Sequence, residues 1–211
     1  FEGNTVSGNG CTSTGGGLAF RGTTLTITDC VIENNTSDGN AGGLWLQYGT
    51  MTLENTRITG NSSQTGGGGL HLWDATVTMR NCTVADNDGG SGDGGGLFAR
   101  SGASTTFDNC IFWGNTTTGS GQQLYLRSDT SGSFDYCDVE GGQSGITGGA
   151  SITWGDGNID SDPLFVDAVN DDYHIDSGSP CIDAADGDAA PATDLDGNSR
   201  VDDPNTSDTG T

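Results

Sequence analysis

One spacing constrains this chain more than any other feature. A Gly-Gly-Leu element recurs at Gly16-Gly17-Leu18, Gly42-Gly43-Leu44, Gly68-Gly69-Leu70 and Gly95-Gly96-Leu97, with a degenerate copy at Gln122-Gln123-Leu124. The leucines stand 26, 26, 27 and 27 residues apart. A fixed period in this range marks a repeat architecture, in which each copy buries its apolar face against the next. Only 31% of the residues are hydrophobic, too few for an ordinary globule of 211 residues, and 38 are glycine. A disordered chain has no reason to hold register, so the fold must need few apolar residues per repeat and many tight turns.

Aligned on their leucines, the copies show alternation after the glycines: Leu18/Phe20, Leu44/Leu46, Leu70/Leu72, Leu97/Ala99 and Leu124/Leu126. Period two over so short a run is a strand with one buried face. A second strand follows, with inward candidates Leu25/Ile27, Met51/Leu53, Val77/Met79, Thr105/Phe107 and Phe134. A third offers Cys30/Ile32, Thr56/Ile58, Cys82/Val84, Cys110/Phe112 and Cys137/Val139. Three short strands and three turns in 26–27 residues predict an all-β, right-handed parallel β-helix, a solenoid. A propeller or sandwich wants hairpin-linked strands, usually four per longer repeat, and fits less well. Asp29, Asn55, Asn81 and Asn109 share one corner. Asn35, Asn61, Asn87 and Asn115 share another, with Asn4 ahead of them, because Phe1-Glu2-Gly3-Asn4 matches Phe112-Trp113-Gly114-Asn115 and reads as the end of an earlier coil. Asparagine suits left-handed turns and can bond to its own kind up a stack. The predicted division is coils over 1–145, a capping or anchor-like segment over 146–185, and an acidic tail, flexible or calcium-binding, over 186–211. A start inside a strand at Phe1 suggests a mature or excised piece of a longer product.

The Gly-Gly-Gly-Leu and Phe-x-x-Asn elements resemble the repeats of polymorphic outer-membrane-protein-like, pectate-lyase-fold surface proteins of bacteria. The stretches Gly157-Asn158-Ile159-Asp160-Ser161-Asp162-Pro163-Leu164-Phe165-Val166, Asp172-Tyr173-His174-Ile175, Gly178-Ser179-Pro180-Cys181-Ile182-Asp183 and Asp194-Leu195-Asp196-Gly197-Asn198 resemble the end region of secreted β-helix proteins with a choice-of-anchor C-terminal module. This resemblance implies the solenoid fold and a secreted or cell-surface location.

The net charge is −23, with six arginines and no lysine. That argues against nucleic acid as a partner, because such binding needs a basic footprint. No apolar run reaches membrane-spanning length. Four cysteines (30, 82, 110 and 137) share one inward position and read as small buried hydrophobes, while Cys137 and Cys181 form the disulfide candidate that would pin the C-terminal module to the helix. Asn34, Asn35, Asn61, Asn81, Asn115 and Asn205 head Asn-x-Ser/Thr triplets and are glycosylation candidates. Two runs carry oxygen ligands at alternate positions, as a Ca²⁺ loop requires: Asp156/Asn158/Asp160/Asp162 and Asp194/Asp196/Asn198/Asp202.

Polysaccharide lyases and hydrolases share this fold, yet no lysine base or paired-carboxylate groove is evident, so no catalytic residues are assigned. The outward positions of the first strand read Ala19/Arg21, Trp45/Gln47, His71/Trp73, Phe98/Arg100 and Tyr125/Arg127. Stacked, they predict a ribbon of rings and arginines suited to contact. Two functions follow from these readings. One is a non-catalytic structural or adhesive surface module, self-associating head-to-tail into a fibre. The other is a carbohydrate-binding or carbohydrate-degrading protein that uses the ribbon on an extracellular glycan.

Overall fold

The computed structural model describes residues 1–200 and 210. Three six-stranded parallel sheets run the length of the molecule. The first holds Leu18–Arg21, Leu44–Gln47, Leu70–Trp73, Leu97–Arg100, Leu124–Leu126 and Ile146–Thr147. The second holds Thr24–Thr28, Thr50–Glu54, Thr76–Arg80, Ser104–Asp108, Ser131–Asp135 and Ser151–Trp154. The third holds Thr5–Ser7, Val31–Glu33, Arg57–Thr59, Thr83–Ala85, Ile111–Trp113 and Asp138–Val139. A small fourth sheet, Gly10–Cys11, Thr36–Ser37 and Ser62–Ser63, fills one corner. The chain is a right-handed parallel β-helix.

Equivalent residues of successive copies pair in step. Leu44 lies between Leu18 and Leu70, and Leu97 between Leu70 and Leu124. The inward side chains therefore form columns, and the core is a single continuous cluster along the axis. Each large side chain buried there contributes roughly 1.5–3 kcal/mol. Rings concentrate toward the C-terminal coils: Phe107 packs on Phe112 at 5.1 Å and on Phe134 at 4.7 Å, and Phe134 on Trp154 at 5.6 Å.

The corners turn as the asparagines suggest. Asp29, Asn55, Asn81 and Asn109 all have φ between 48° and 53°. The other asparagine column is a buried ladder. Nδ2 of Asn9, Asn35, Asn61 and Asn87 each donates to Oδ1 of the next member, at 2.9–3.0 Å, ending on Asn115. Asn115 donates to Gln123 Oε1 at 2.7 Å, and Gln123 to the Glu140 carboxylate at 2.5 Å. Backbone N–H groups of Asn35, Asn61 and Asn87 donate to the same Oδ1 atoms.

Two expectations are corrected. The first coil enters the ladder at Asn9, not Asn4. Val6 pairs with Ile32, so Val6-Ser7-Gly8-Asn9, and not Phe1-Glu2-Gly3-Asn4, is the counterpart of Phe112-Trp113-Gly114-Asn115. The coils also pass the expected boundary at residue 145. Ile146–Thr147 and Ser151–Trp154 pair in parallel with the preceding coil, and Ile159 bridges Asp138.

Beyond the coils, Phe165–Asp167 and Asp172–Ile175 form an antiparallel pair, and the following chain lies against the third sheet. Tyr173 donates to Asp86 Oδ2 at 3.0 Å, and Arg57 sits 5.2 Å over the Tyr173 ring while donating to the Asp171 carbonyl at 2.7 Å. Asn109 and Asp186 bond reciprocally at 2.9 and 2.8 Å. Tail and sheet enclose a cleft of about 1200 Å³.

Candidate functional site

The outward columns of the first sheet stack as a ribbon, and the described part of the tail lies elsewhere: its bonds go to Asn34, Asn55, Arg57, Asp86, Asn109 and Asp138. Parallel register puts Ala19, Trp45, His71, Phe98 and Tyr125 in one column, and Arg21, Gln47, Trp73 and Arg100 in the next. The His71 and Phe98 rings lie 4.7 Å apart, and Phe98 meets Tyr125 edge-on at 5.6 Å. Arg100 stacks 4.0 Å over the Trp73 ring. Its Nε–H donates to His71 Nε2 at 3.1 Å. A delocalised guanidinium over an indole is the most favourable cation–π pairing.

His71 is the surprise. It points outward yet is 0% exposed. Its neighbours in the column, Arg100 and the turn at Gly66-Gly67 close over it. A Cβ at Gly67 would lie 2.4 Å from the Leu70 carbonyl oxygen and 2.8 Å from the His71 Cβ, so the bare glycine lets this turn close over the imidazole. Burial, and then the Arg100 charge, lower the His71 pKa to about 3. The imidazole is neutral, with Nε2 accepting from Arg100 and the Gly66 backbone as its other polar neighbour. Such a group holds Arg100 in place and is unsuited to take a proton from a substrate. The Trp45 indole N–H is buried without a partner.

Around this packed centre lie the accessible parts. Tyr48, at a turn beside the ribbon, is 44% exposed; Arg21 sits 5.6 Å over its ring, and Trp73 is 6.4 Å away. Tyr48 belongs to the ribbon and has no counterpart in the repeat, which is why strand alternation did not find it. Arg127 lies just past its strand, exposed, 4.0 Å from Asp129. Its charge, after burial, helps to lower the Arg100 pKa.

The other candidates fare differently. Asn35, Asn61 and Asn115 are 0–2% exposed and committed to the ladder, so as glycan acceptors in the folded chain they are corrected. Asn34 is exposed and bonds to Asp171 at 3.4 Å; Asn81 is half-buried and accepts from Asn109 at 3.1 Å. Asn205 and Asp202 lie outside the described residues. The Cys137–Cys181 bridge is corrected as well. Both are free, Cys137 turns its thiol into the core toward the Phe107 and Asp135 carbonyls, and Cys181 donates to Asp138 Oδ2 at 3.1 Å.

Of the acidic runs, Asp194 spends both oxygens within its own turn, on the Asp196 and Asn198 N–H groups and the Asn198 amide. Asp196 pairs with His174. Asn158 bonds to Cys137 and Phe134 backbone as a corner residue. Among the described residues no group of three or more His, Cys, Asp or Glu is placed to hold a metal, and no helix is long and apolar enough to cross a membrane.

No curated protein and no solved structure matches the chain. The model of one family, the right handed beta helix region, matches residues 16–159. That span runs from the first Gly-Gly-Leu corner to the last bridged rung and covers more than half of the chain, which therefore belongs to the right-handed β-helix family.

Proposed function

We propose that this protein is a non-catalytic structural or adhesive module of the bacterial surface or extracellular space, and that its first-sheet ribbon is its contact surface. The observation that carries this reading is the Arg100–Trp73–His71 cluster. It spends the only histidine of the coils on fixing an arginine over a tryptophan, in a chain of net charge −23. Rings and arginines held rigid beforehand lose little side-chain entropy on binding. The partners that suit them are extracellular glycans, whose sugar faces stack on rings, and carboxylate-bearing surfaces, which pair with arginine. The resemblance to polymorphic outer-membrane-protein-like repeats and choice-of-anchor ends supports the secreted or cell-surface location. Head-to-tail association into fibres belongs to the same reading, since coils of one register can stack on further coils of the same kind. Calcium held by Asp194, Asp196, Asn198 and Asp202 would screen part of the charge.

A glycan array probed with wild type and with Trp73→Ala and Trp45→Ala tests the contact surface. Binding by wild type that falls at least about tenfold in Trp73→Ala, the loss of a central aromatic anchor, is expected. Equal signals from all three proteins overturn the ribbon as a binding surface. Electron microscopy of the purified chain tests the fibre, and dispersed monomers alone reject it.

A further inference from the structure

The outer side of the second sheet carries a feature unlike any other face. Its two outward columns read Thr24, Thr50, Thr76, Ser104, Ser131, Ser151 and Thr26, Thr52, Thr78, Thr106, Ser133, Thr153. All twelve positions are hydroxyl residues, eight Thr and four Ser. Pairing is in step over all six strands, with no register shift. The first column is exposed throughout and the second is exposed or half-buried. Among the described residues the only hydrogen bond made by these hydroxyls to one another is Ser131 to Ser104, at 3.2 Å, and none of the eight threonine hydroxyls has a protein partner. Neither column contains a charge. The neighbouring positions from Glu54 to Asp135 do, and the Arg80–Asp108 pair at 3.2 Å marks that border.

Threonine is favoured in strands, which accounts for one here or there. It does not account for twelve of twelve on one sheet, when the outward positions of the other sheets hold Trp, Arg, Val, Ile and Asp. The geometry is a two-dimensional lattice of hydroxyls. Rungs repeat every ~4.8 Å along the axis, and alternate residues every ~6.7 Å along the strand. β-Branching restricts χ1, which favours a common rotamer for threonines stacked in equivalent positions. Stacked side-chain ladders such as the asparagine column oppose the twist that sheets ordinarily take. The rung spacing is close to the a-axis repeat of hexagonal ice, and the two-residue step approaches its c-axis repeat.

We propose that this face binds ice: the hydroxyl lattice orders water in the ice spacing, and that layer merges with a growing crystal face. A rigid array repeats on each rung the water positions that a flexible surface would have to organise at an entropic cost. The other flat occupants fit less well. A crystalline polysaccharide is gripped by stacked rings, and the rings are on a different sheet. A protein partner needs aromatic or arginine anchors, and the array has none.

Thermal hysteresis, inhibition of ice recrystallisation and partition into a slowly growing ice front test this on the full chain. Wild type is expected to show all three, and Thr52→Tyr and Thr78→Tyr, in mid-array, to lose them with unchanged melting temperatures. Thr116→Tyr, exposed off the array, should keep them. Replacing Ser104, Ser131 and Ser133 by Thr should raise the hysteresis, a gain that no folding defect can mimic. Exclusion of wild type from ice overturns the proposal. So does activity that survives the tyrosine variants, or adsorption to microcrystalline cellulose or chitin without activity on ice. Trp73→Ala, which tests the contact ribbon, should leave ice binding unchanged, so the two surfaces stand or fall separately.

Discussion

At the scale of single residues, the buried asparagine ladder sets the character of the molecule. Asn87 alone accepts the Asn61 N–H and amide, and donates to Asn115, to the Ile58 carbonyl at 2.9 Å and to the Ala85 carbonyl at 3.0 Å. Truncation leaves those groups buried and unsatisfied, at about 1–3 kcal/mol each. Asn87→Ala should therefore cost at least about 3 kcal/mol in denaturant unfolding, whereas Cys110→Ala, which removes a weakly bonded thiol, should cost about 1–2 kcal/mol. Equal losses would show that the ladder is ordinary turn chemistry. Ala41 makes the opposite case. Its φ is 58°, where the equivalent Gly15, Gly67, Gly94 and Gly121 have 66–74°, and a Cβ at each of those glycines would come within 2.6 Å of a leucine carbonyl. Ala41→Gly should raise stability by about 1 kcal/mol, because relief of the left-handed strain exceeds the added chain entropy. A lower melting temperature would contradict this.

At the scale of the strand, the core columns compensate one another within each coil. On the second sheet the inward pairs run Met51/Leu53, Val77/Met79, Thr105/Phe107 and Gly132/Phe134. In these four middle coils the first member shrinks from Met to Gly while the second grows from Leu to Phe, as a fixed coil volume requires; the end pairs Leu25/Ile27 and Ile152/Trp154 do not follow the trend. A Cβ at Gly132 would lie 2.9 Å from Leu126 and 3.1 Å from the Phe134 ring. Gly132→Val should overpack this coil and cost about 1–3 kcal/mol. Phe134→Leu beside it should recover most of the loss, and simple additivity of the two changes would refute the compensation. The same columns explain what could be read in advance. Leu18 to Leu124 lie in line because the period carries no insertion large enough to break register. The sixth coil was hidden, since Ile146 and Ile152 pair correctly without a Gly-Gly-Leu corner before them. In the first coil Asn4 and Asn9 both follow a glycine, and only pairing with the next coil distinguishes them. Nor was the tail's path legible: single polar contacts such as Tyr173–Asp86, 87 residues apart, leave no periodic trace. The ribbon was found by alternation, but the burial of His71 depends on the turn that crosses it.

At the scale of the whole molecule, two buried titrations oppose one another. The His71 pKa falls to about 3 through burial and then Arg100, while the Asp138 pKa rises to about 6 through burial, against the Cys181 and Ser161 donors that favour its charged form. An unfolded histidine takes up its proton near 6.5 and an unfolded aspartate near 3.9. Between about 6.5 and 3 the unfolded chain therefore holds a proton on His71 that the folded chain lacks, and stability falls as pH falls. Between about 6 and 4 the folded chain holds a proton on Asp138 that the unfolded chain lacks, and stability rises as pH falls. Across the shared window the two slopes oppose each other, so this pair by itself adds little net pH dependence there. His71→Gln removes one slope and keeps a neutral side chain under Arg100. Relative to wild type, the variant should gain about 1.4 kcal/mol for each pH unit lowered from 6.5 toward 4, and nothing between pH 7 and 8. Denaturant unfolding of both proteins at pH 7.5, 6 and 4.5 measures the difference directly. A constant gap would mean that His71 becomes protonated in the folded state, and with it that Arg100 is not pinned by a neutral imidazole.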